Sequence, residues 1–162
     1  MAIPQFLAEL RSVVGNRPLW LSAVAGVVLD DRDRVLLARR SDDGRWAVVG
    51  GILDPGEQPA DGVVREVLEE TGVVAVPELL ASVSVTEPVT YPNGDVTQYL
   101  VLTFRCRAIG GEARVNDDES LEVGWFALDA LPPMIDLEHE RLRHALECEG
   151  SAVFSWEGKE RP

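Results

Sequence analysis

Residues 51–73 read GILDPGEQPADGVVREVLEETGV, and this segment predicts both a local fold and a class of chemistry. Pro59 suits the first turn of a helix, where its missing N–H costs no hydrogen bond. Gly72 suits the position just after a helix end, where the backbone turns left-handed. A helix of roughly three turns, about residues 59–71, is therefore predicted. Its buried stripe consists of small and β-branched residues at helical spacing: Ala60, Val63, Val64, Val67 and Thr71.

Three glutamates occupy another face of this helix. Glu66, Glu69 and Glu70 stand at i, i+3 and i+4, which places their carboxylates on one surface patch. Such a patch is often only a solvated face of a helix. A divalent cation would offset the repulsion between the carboxylates, whose oxygens are ligands that Mg²⁺ and Mn²⁺ prefer. Gly50 and Gly51, just ahead of the helix, allow the backbone to approach a ligand closely.

The segment resembles a complete Nudix box, in which a glycine, a glutamate, an Arg-Glu-apolar-x-Glu-Glu run and a final Gly-apolar pair have fixed spacing. Every fixed position is filled, by Gly51, Glu57, Arg65, Glu66, Val67, Glu69, Glu70, Gly72 and Val73. The resemblance implies that Arg65 and Glu57 brace the box and that the Gly50 carbonyl is a metal ligand. Arg65 can pair with Glu69 along the helix or with Glu57 across the loop.

Length and charge restrict the alternatives. A chain of 162 residues with 46% hydrophobic content is long enough for one domain with a substantial core. The net charge of −13 argues against a nucleic acid or an anionic membrane as the main partner. Cys106 and Cys148 lack metal-site spacing and are predicted to be free thiols. Without a basic leader or a long apolar run, the sequence predicts a cytoplasmic protein.

The remaining pattern predicts a mixed α/β fold. Residues 1–17 are predicted as an N-terminal helical segment, with an amphipathic helix over about 4–14, and residues 18–162 as a Nudix hydrolase domain. Helical periodicity also predicts a helix over residues 137–149. Together with the resemblance, which covers about residues 20–148, this indicates an α/β/α sandwich around a mixed sheet. The predicted strands are 23–29 and 35–39, forming a hairpin, then 46–49, 79–86, 97–108, 112–115, 123–127 and 153–156.

Several residues outside the box are candidates for the site. The acidic loop at 117–122 is similar to a late Nudix loop that often supplies a metal ligand or the catalytic base, with Glu119 the first candidate and Glu122 the second. A solvated loop is the alternative. Arg39 and Arg40 end a strand near the box, where the family often places a basic residue that faces substrate phosphates; an ordinary solvent-facing pair is the alternative. Candidate stacking partners for a substrate are Trp46, Tyr91 and Tyr99, for which core packing is the alternative.

The resemblance implies an enzyme that hydrolyses a nucleoside diphosphate linked to a group X, with Mg²⁺ or Mn²⁺ as cofactor. The substrate is expected to be a nucleotide sugar such as ADP-ribose, or a (deoxy)nucleoside triphosphate. The alternative is a regulatory module that binds a nucleotide metabolite without cleaving it. The expected partner is thus a small molecule, with no nucleic acid or membrane, while a homodimer is left open.

Overall fold

The computed structural model describes residues 4–156. The predicted division at residues 1–17 and 18–162 extends past this range at both ends, where residues 1–3 and 157–162 lie outside the described part, and it stays a prediction. The helices are α1 (Gln5–Val14), α2 (Pro59–Thr71) and α3 (Asp136–Glu147). The strands are β1 (Leu19–Leu29), β2 (Val35–Arg40), β3 (Trp46–Ala47), β4 (Val49–Ile52), β5 (Val73–Val85), β6 (Val89–Thr90), β7 (Val96–Gly111), β8 (Ser120–Phe126) and β9 (Val153–Phe154).

The strands form one mixed sheet in the order β3-β2-β1-β7-β5-β9. β1 and β7 pair in parallel, as do β5 and β9, while the other ladders are antiparallel. β4 pairs with β1, β6 with β7 and β8 with β2. Helix α2 buries Val63 and Val67 on one face of the sheet, and α3 buries Leu142 and Ala145 on the other. The predicted α/β/α sandwich with a mixed sheet is confirmed.

The predicted hairpin between the first two strands is confirmed only at its turn. β1 and β2 meet at a single register pair, Leu29 with Val35. Along the rest of that edge β1 pairs with β4 instead, from Ala23 to Gly26, while β2 diverges to pair with β8.

The predicted strand at residues 112–115 is wrong. β7 ends at Gly111, and the following residues cover the C-terminal end of α2 instead of joining the sheet. The Arg114 N–H donates to the Thr71 carbonyl at 3.0 Å, and the Asn116 N–H donates to the Glu70 carbonyl at 3.2 Å. These bonds satisfy helix carbonyls that lack intrahelical partners, which outweighs the strand preference of the local sequence.

Candidate functional site

The acidic residues of α2 differ widely in exposure. The helix begins with Pro59 in its first turn and ends at Gly72, whose φ of 70° is left-handed, as the sequence predicts. Glu70 is only 7% exposed. The Glu66 side chain is 12% exposed and that of Glu69 is 55% exposed. The prediction of a single surface patch is thus wrong, because successive helical residues are rotated by about 100° and Glu70 turns toward the sheet.

Glu66 packs against the backbone of the loop that precedes the helix. A Cβ atom at Gly51 would lie 2.3 Å from the Glu66 Cδ, a separation that real Cβ atoms do not show. Gly51 belongs to β4 and pairs with Val24 of the central strand β1. The carboxylate of Glu66 therefore lies directly against the sheet edge only because residue 51 has no side chain.

Arg65 joins the loop to the helix, and both of the pairings predicted for it occur. Its Nε and Nη2 donate to the two carboxylate oxygens of Glu57, at 2.7 and 2.9 Å. Its Nη1 donates to Glu66 at 2.9 Å and to Glu69 at 3.0 Å. Glu57 also accepts a hydrogen bond from the Asp54 N–H at 3.1 Å. A single guanidinium thus fixes the loop and orients two carboxylates of the helix.

Burial and mutual repulsion make two of these carboxylates hard to ionise. Burial, together with the negative charges of Glu66, Asp117 and Glu119, raises the pKa of Glu70 to about 8, against a hydrogen bond from the Gly50 backbone. Burial also raises the pKa of Glu66 to about 7, although the adjacent Arg65 opposes this shift. Arg65 compensates the charge of this pair only in part, because it contacts Glu66, so the pair favours a site where further positive charge is bound.

The loop after β7 brings two more carboxylates to the same place. The Asn116 side chain donates to the carbonyls of Leu68 and Glu69, both at 3.1 Å, and so ties the loop to the end of α2. Asp117 and Glu119 follow, close enough to influence the Glu70 pKa. The Glu119 carbonyl accepts from the Ser41 N–H at 2.8 Å. Asp117 belongs to the acidic loop that the sequence marks, whereas Asn116 cannot be recognised from the sequence alone, because only its contact with the helix end gives it a role.

Glu122, the second loop candidate, has a different environment. It lies on β8 and pairs with Arg39 of β2, with 2.7 Å between Arg39 Nη2 and the carboxylate. This ion pair bridges two neighbouring strands. Glu119 is therefore the loop glutamate that the structure brings to the carboxylates of α2.

A cavity of about 840 Å³ adjoins the acidic residues. Glu66, Glu69, Asp117 and Glu119 line one part of it, together with the backbone of Gly50 and Gly51. Of the residues predicted to contact substrate, Arg40, Tyr91 and Tyr99 line the cavity. Arg40 also lines a smaller adjoining pocket beside Glu70 and Glu119. The cavity therefore extends from the carboxylates to a region that contains a cation and two phenol groups.

Arg39 and Trp46 are not among the described residues that line this cavity. The Trp46 ring packs edge-on against Phe126, with 4.9 Å between ring centroids and an angle of 72° between the planes. Arg39 is held by Glu122 on the neighbouring strand. A substrate contact for these two residues stays a prediction, since β3 and β8 flank β2 and both side chains pack between neighbouring strands.

A further charged residue, Arg141, reaches the cavity from α3 and is paired with Glu138. Glu138 is buried, and its carboxylate accepts from the Val48 N–H at 3.0 Å and from Arg141 Nη1 at 2.6 Å. Arg141 lines the cavity. Neither Glu138 nor Arg141 can be recognised as a site residue from the sequence alone, because both resemble the polar side of an ordinary amphipathic helix.

The donor set fits a hard divalent cation. All the acidic groups offer oxygen, and Mg²⁺ commonly takes only one or two carboxylates together with water and phosphate oxygens. Within residues 4–156, no three His, Cys, Asp or Glu side chains already converge on one point in metal-binding geometry. Two observations support the fit: Glu70 is buried, and the Glu66 carboxylate packs against Gly51. A bound cation would offset the negative charge of both carboxylates.

The raised pKa values predict an unusual dependence of stability on pH. In the folded, metal-free protein the pKa values of Glu66 and Glu70 lie near 7 and 8, above the ordinary value of 4.5. The folded state therefore binds more protons than the unfolded state, so stability is lost as pH rises from about 4.5 to about 8. We expect the melting temperature in chelator to fall by several degrees between pH 6 and pH 8.5. Millimolar Mg²⁺ is expected to restore it, most strongly at the higher pH.

Glu70→Gln provides the control for this measurement, because it removes the buried charge. Its melting temperature in chelator is expected to change less over the same pH range. Glu57 and Asp42, whose pKa values are lowered, complete their titration below this range and add no slope. A melting temperature in chelator that rises with pH, or that Mg²⁺ leaves unchanged throughout, would contradict the interpretation.

Comparison with known proteins gives one consistent family. The sequence model described as NUDIX domain matches residues 20–146. A MutT-like protein of Streptomyces ambofaciens is 40% identical over 145 residues, which cover 88% of this chain and 87% of that protein. The NAD-capped RNA hydrolase NudC of Chromobacterium violaceum is 36% identical over 129 residues, which cover 76% of this chain but 46% of that protein.

A solved structure extends the likeness to three dimensions. The crystal structure of an ADP-ribose pyrophosphatase from Streptococcus suis 89-1591 superposes with a TM-score of 0.65 at 25% identity. The alignment covers 83% of this chain and 98% of that chain. Within the described residues, no helix combines the length and the apolar character that crossing a bilayer requires.

Proposed function

The chain belongs to the Nudix hydrolase family, and from this membership we propose that it hydrolyses a nucleoside diphosphate linked to a group X at the acidic face of α2. The observation that carries the proposal is the buried carboxylate pair. Glu66 packs against Gly51 and borders a cavity of about 840 Å³. Glu70 is buried and lines the smaller pocket, which shares Arg40 and Glu119 with that cavity. Such a cavity is within the size range of small-molecule sites.

The proposed reaction breaks one phosphoanhydride bond. The oxygen of water attacks a phosphorus of the diphosphate, the bridging P–O bond breaks, and the bridging oxygen leaves with the other phosphoryl group. The products are a nucleoside monophosphate and phosphorylated X, or pyrophosphate where the substrate is a nucleoside triphosphate. The proton released by the attacking water must be accepted by a nearby base.

Nudix hydrolases generally use divalent metal ions. We propose that Glu66, Glu69, Glu70 and the Gly50 carbonyl hold Mg²⁺ or Mn²⁺ in this chain. When bound, the ion offsets the charge of the diphosphate and makes water more acidic. Arg65 and Glu57 act by holding the box loop against the helix, through the hydrogen bonds at 2.7 and 2.9 Å.

The proposed role of Glu119 is to accept the proton of the attacking water. It lines the cavity beside Glu66, and its charge raises the pKa values of both Glu66 and Glu70. Arg40 is the proposed phosphate contact, because it borders both the cavity and the pocket next to Glu70. Asp42 holds its guanidinium through the Nε at 2.9 Å and through Nη2.

The substrate class follows from relatives whose names state one. ADP-ribose pyrophosphatase and NAD-capped RNA hydrolase both act on molecules that contain an ADP-ribosyl group. We therefore place ADP-ribose and related nucleotide sugars first among the substrates of this chain, with nucleoside triphosphates second. The acidic net charge of −13 also favours a small substrate over a long polyanion.

A screen of purified protein against nucleotides tests the proposal. ADP-ribose, NAD, UDP-glucose and the common (deoxy)nucleoside triphosphates are incubated with Mg²⁺ or Mn²⁺, and monophosphate release is followed by chromatography. We expect release from at least one compound and its loss in excess chelator. If the protein binds one of these nucleotides with its metal but releases no product, the regulatory binding module is correct and the hydrolase proposal fails.

A further inference from the structure

The cavity has an aromatic part as well as an acidic one. Phe6 from the first turn of α1 lines it, together with Tyr91 and Tyr99 from the hairpin formed by β6 and β7. We propose that this aromatic wall, Phe6, Tyr91 and Tyr99, is the subsite for the nucleobase and sets which nucleoside the protein accepts. The inference rests on the proposed function, since the acidic part of the cavity is taken to hold the diphosphate.

The register of the sheet gives the separation of the two parts. Ile52 of β4 pairs with Ala23 of β1, and Ala23 pairs with Val101 of β7. Tyr99 lies two residues before Val101 on the same strand. With strands about 4.8 Å apart and a rise of about 3.3 Å per residue, the backbone of Tyr99 lies on the order of 12 Å from that of Ile52. A ribose and base extending from a phosphate near β4 span such a separation.

The chemistry of the wall suits a planar, uncharged ring. The hydroxyl groups of Tyr91 and Tyr99 are 2.7 Å apart and share one hydrogen bond, so one hydroxyl proton is left to donate elsewhere. Burial raises the pKa of Tyr99, which keeps its phenol neutral. Val101 and Ala23 add apolar lining. Aromatic faces bind nucleobases by stacking, whereas a sugar ring requires several polar partners for its hydroxyl groups.

The helix that supplies Phe6 is fastened to the hairpin that supplies both tyrosines. Arg11 of α1 donates from Nη2 to the Val96 carbonyl at 2.8 Å and to Thr97 Oγ1 at 3.0 Å. Its Nη1 donates to the Gly15 and Arg17 carbonyls, at 3.0 and 2.7 Å. The side chain is only 11% exposed. Arg11 is therefore a positioning residue that joins α1 and the hairpin into one unit.

A second contact strengthens this unit. The Asn16 side chain, in the segment after α1, donates to the Asn93 carbonyl in the hairpin turn at 3.3 Å. Asp95 of the same turn lies 3.5 Å from Arg11 Nε. Helix α1 also lies outside residues 20–146, which match the family. The first turn of α1 thus adds Phe6 to the cavity lining, from a segment that precedes the residues matching the family.

The test uses two substrate series with the full-length protein and Mg²⁺. One series changes the base at constant X, with the adenosine, guanosine, cytidine and uridine diphosphate sugars of one sugar. The other series changes X at constant base. For Phe6→Ala we expect KM to rise about tenfold or more for the preferred nucleoside, with kcat within about threefold, as expected when one stacking partner is lost. Preference along the base series is expected to flatten, while preference along the X series stays unchanged.

Two further variants separate contact from positioning. Tyr91→Phe keeps the ring and removes a hydroxyl, so it is expected to change base preference without loss of folding. Arg11→Met removes the clamp at similar size and is expected to raise KM in the same direction as Phe6→Ala while leaving kcat unchanged. Leu10→Ala, on the same helix but not among the cavity-lining residues, is the matched control and is expected to behave as wild type. A changed X preference, or an unchanged base preference in both wall variants, would overturn the proposal.

A binding measurement tests the nucleobase subsite separately from the proposed hydrolase activity. If the wild-type protein hydrolyses none of the substrates, titration calorimetry with AMP, GMP, CMP and UMP in Mg²⁺ still tests the wall. Selective binding of one monophosphate that Phe6→Ala weakens about tenfold or more supports the subsite even though the hydrolase proposal has failed. Equal binding by wild type and variant, or binding of no monophosphate, contradicts it.

Discussion

We expect Glu70→Gln to lower kcat for the best substrate by at least about a hundredfold, the scale of losing a metal-held charge or a general base. Glutamine keeps the size of the side chain and suits a helix equally well, so the fold is expected to survive. The variant is also expected to melt at the same temperature as the wild type or higher in chelator at pH 8, because it removes a buried negative charge. Steady-state kinetics and thermal melts on the same preparation measure both effects.

A variant that loses activity but keeps its melting temperature identifies a functional residue, whereas a structural residue would lose both. Glu140→Gln, which makes the same chemical change at an exposed position of α3, is the control and is expected to retain wild-type kcat. If Glu66→Gln and Glu70→Gln both hydrolyse the best substrate at nearly the wild-type rate, the assignment of the acidic face is wrong.

The second large effect is expected from Gly51→Ala. The new Cβ would lie 2.3 Å from the Glu66 Cδ, so the carboxylate has to leave its position against β4. The displaced atoms are the end of a flexible side chain, and the free energy of unfolding is therefore expected to change by less than about 1 kcal/mol. We expect kcat to fall by about a hundredfold, because a charge displaced by more than an ångström no longer meets the diphosphate correctly.

Gly110→Ala is the matched control for this substitution. A Cβ at Gly110 would meet no atom within 4 Å, and its backbone is not left-handed. We expect wild-type kcat and stability from it. Loss of stability in Gly51→Ala comparable to its loss of activity would show that the glycine serves the fold and not the position of Glu66.

Features that depend on a few neighbouring residues were predictable from the sequence. Pro59 and Gly72 mark the ends of α2 because the proline ring and the left-handed glycine act locally. The turn Tyr91–Asp95, which contains the local turn signal Asn-Gly, forms between β6 and β7, with the Tyr91 N–H donating to the Asp95 carbonyl at 2.9 Å. The burial of Glu70 was not predictable, because it depends on β4 and on the loop at residues 112–119.

Contacts between distant segments account for the other differences. The amphipathic ring of Trp46 would suit a substrate contact, but in the folded protein it packs against Phe126 of β8. Arg11 resembles an ordinary polar residue of a surface helix, and only the tertiary structure brings Val96 and Thr97 to it. Neither contact can be predicted from sequence spacing, because both depend on how elements far apart along the chain are positioned.

The parallel ladder between β1 and β7 has a consequence for synthesis on the ribosome. It pairs Leu19 with Thr97 and Leu29 with Arg107, so β1 cannot pair with β7 until β7 has been synthesised. At about 5–20 residues per second, roughly two to eight seconds separate the synthesis of Thr71 from that of Gly111. Throughout this interval α2 has no completed sheet to pack on, and its apolar stripe is exposed. The nascent chain is therefore most open to aggregation and to chaperone binding between the synthesis of α2 and that of β7.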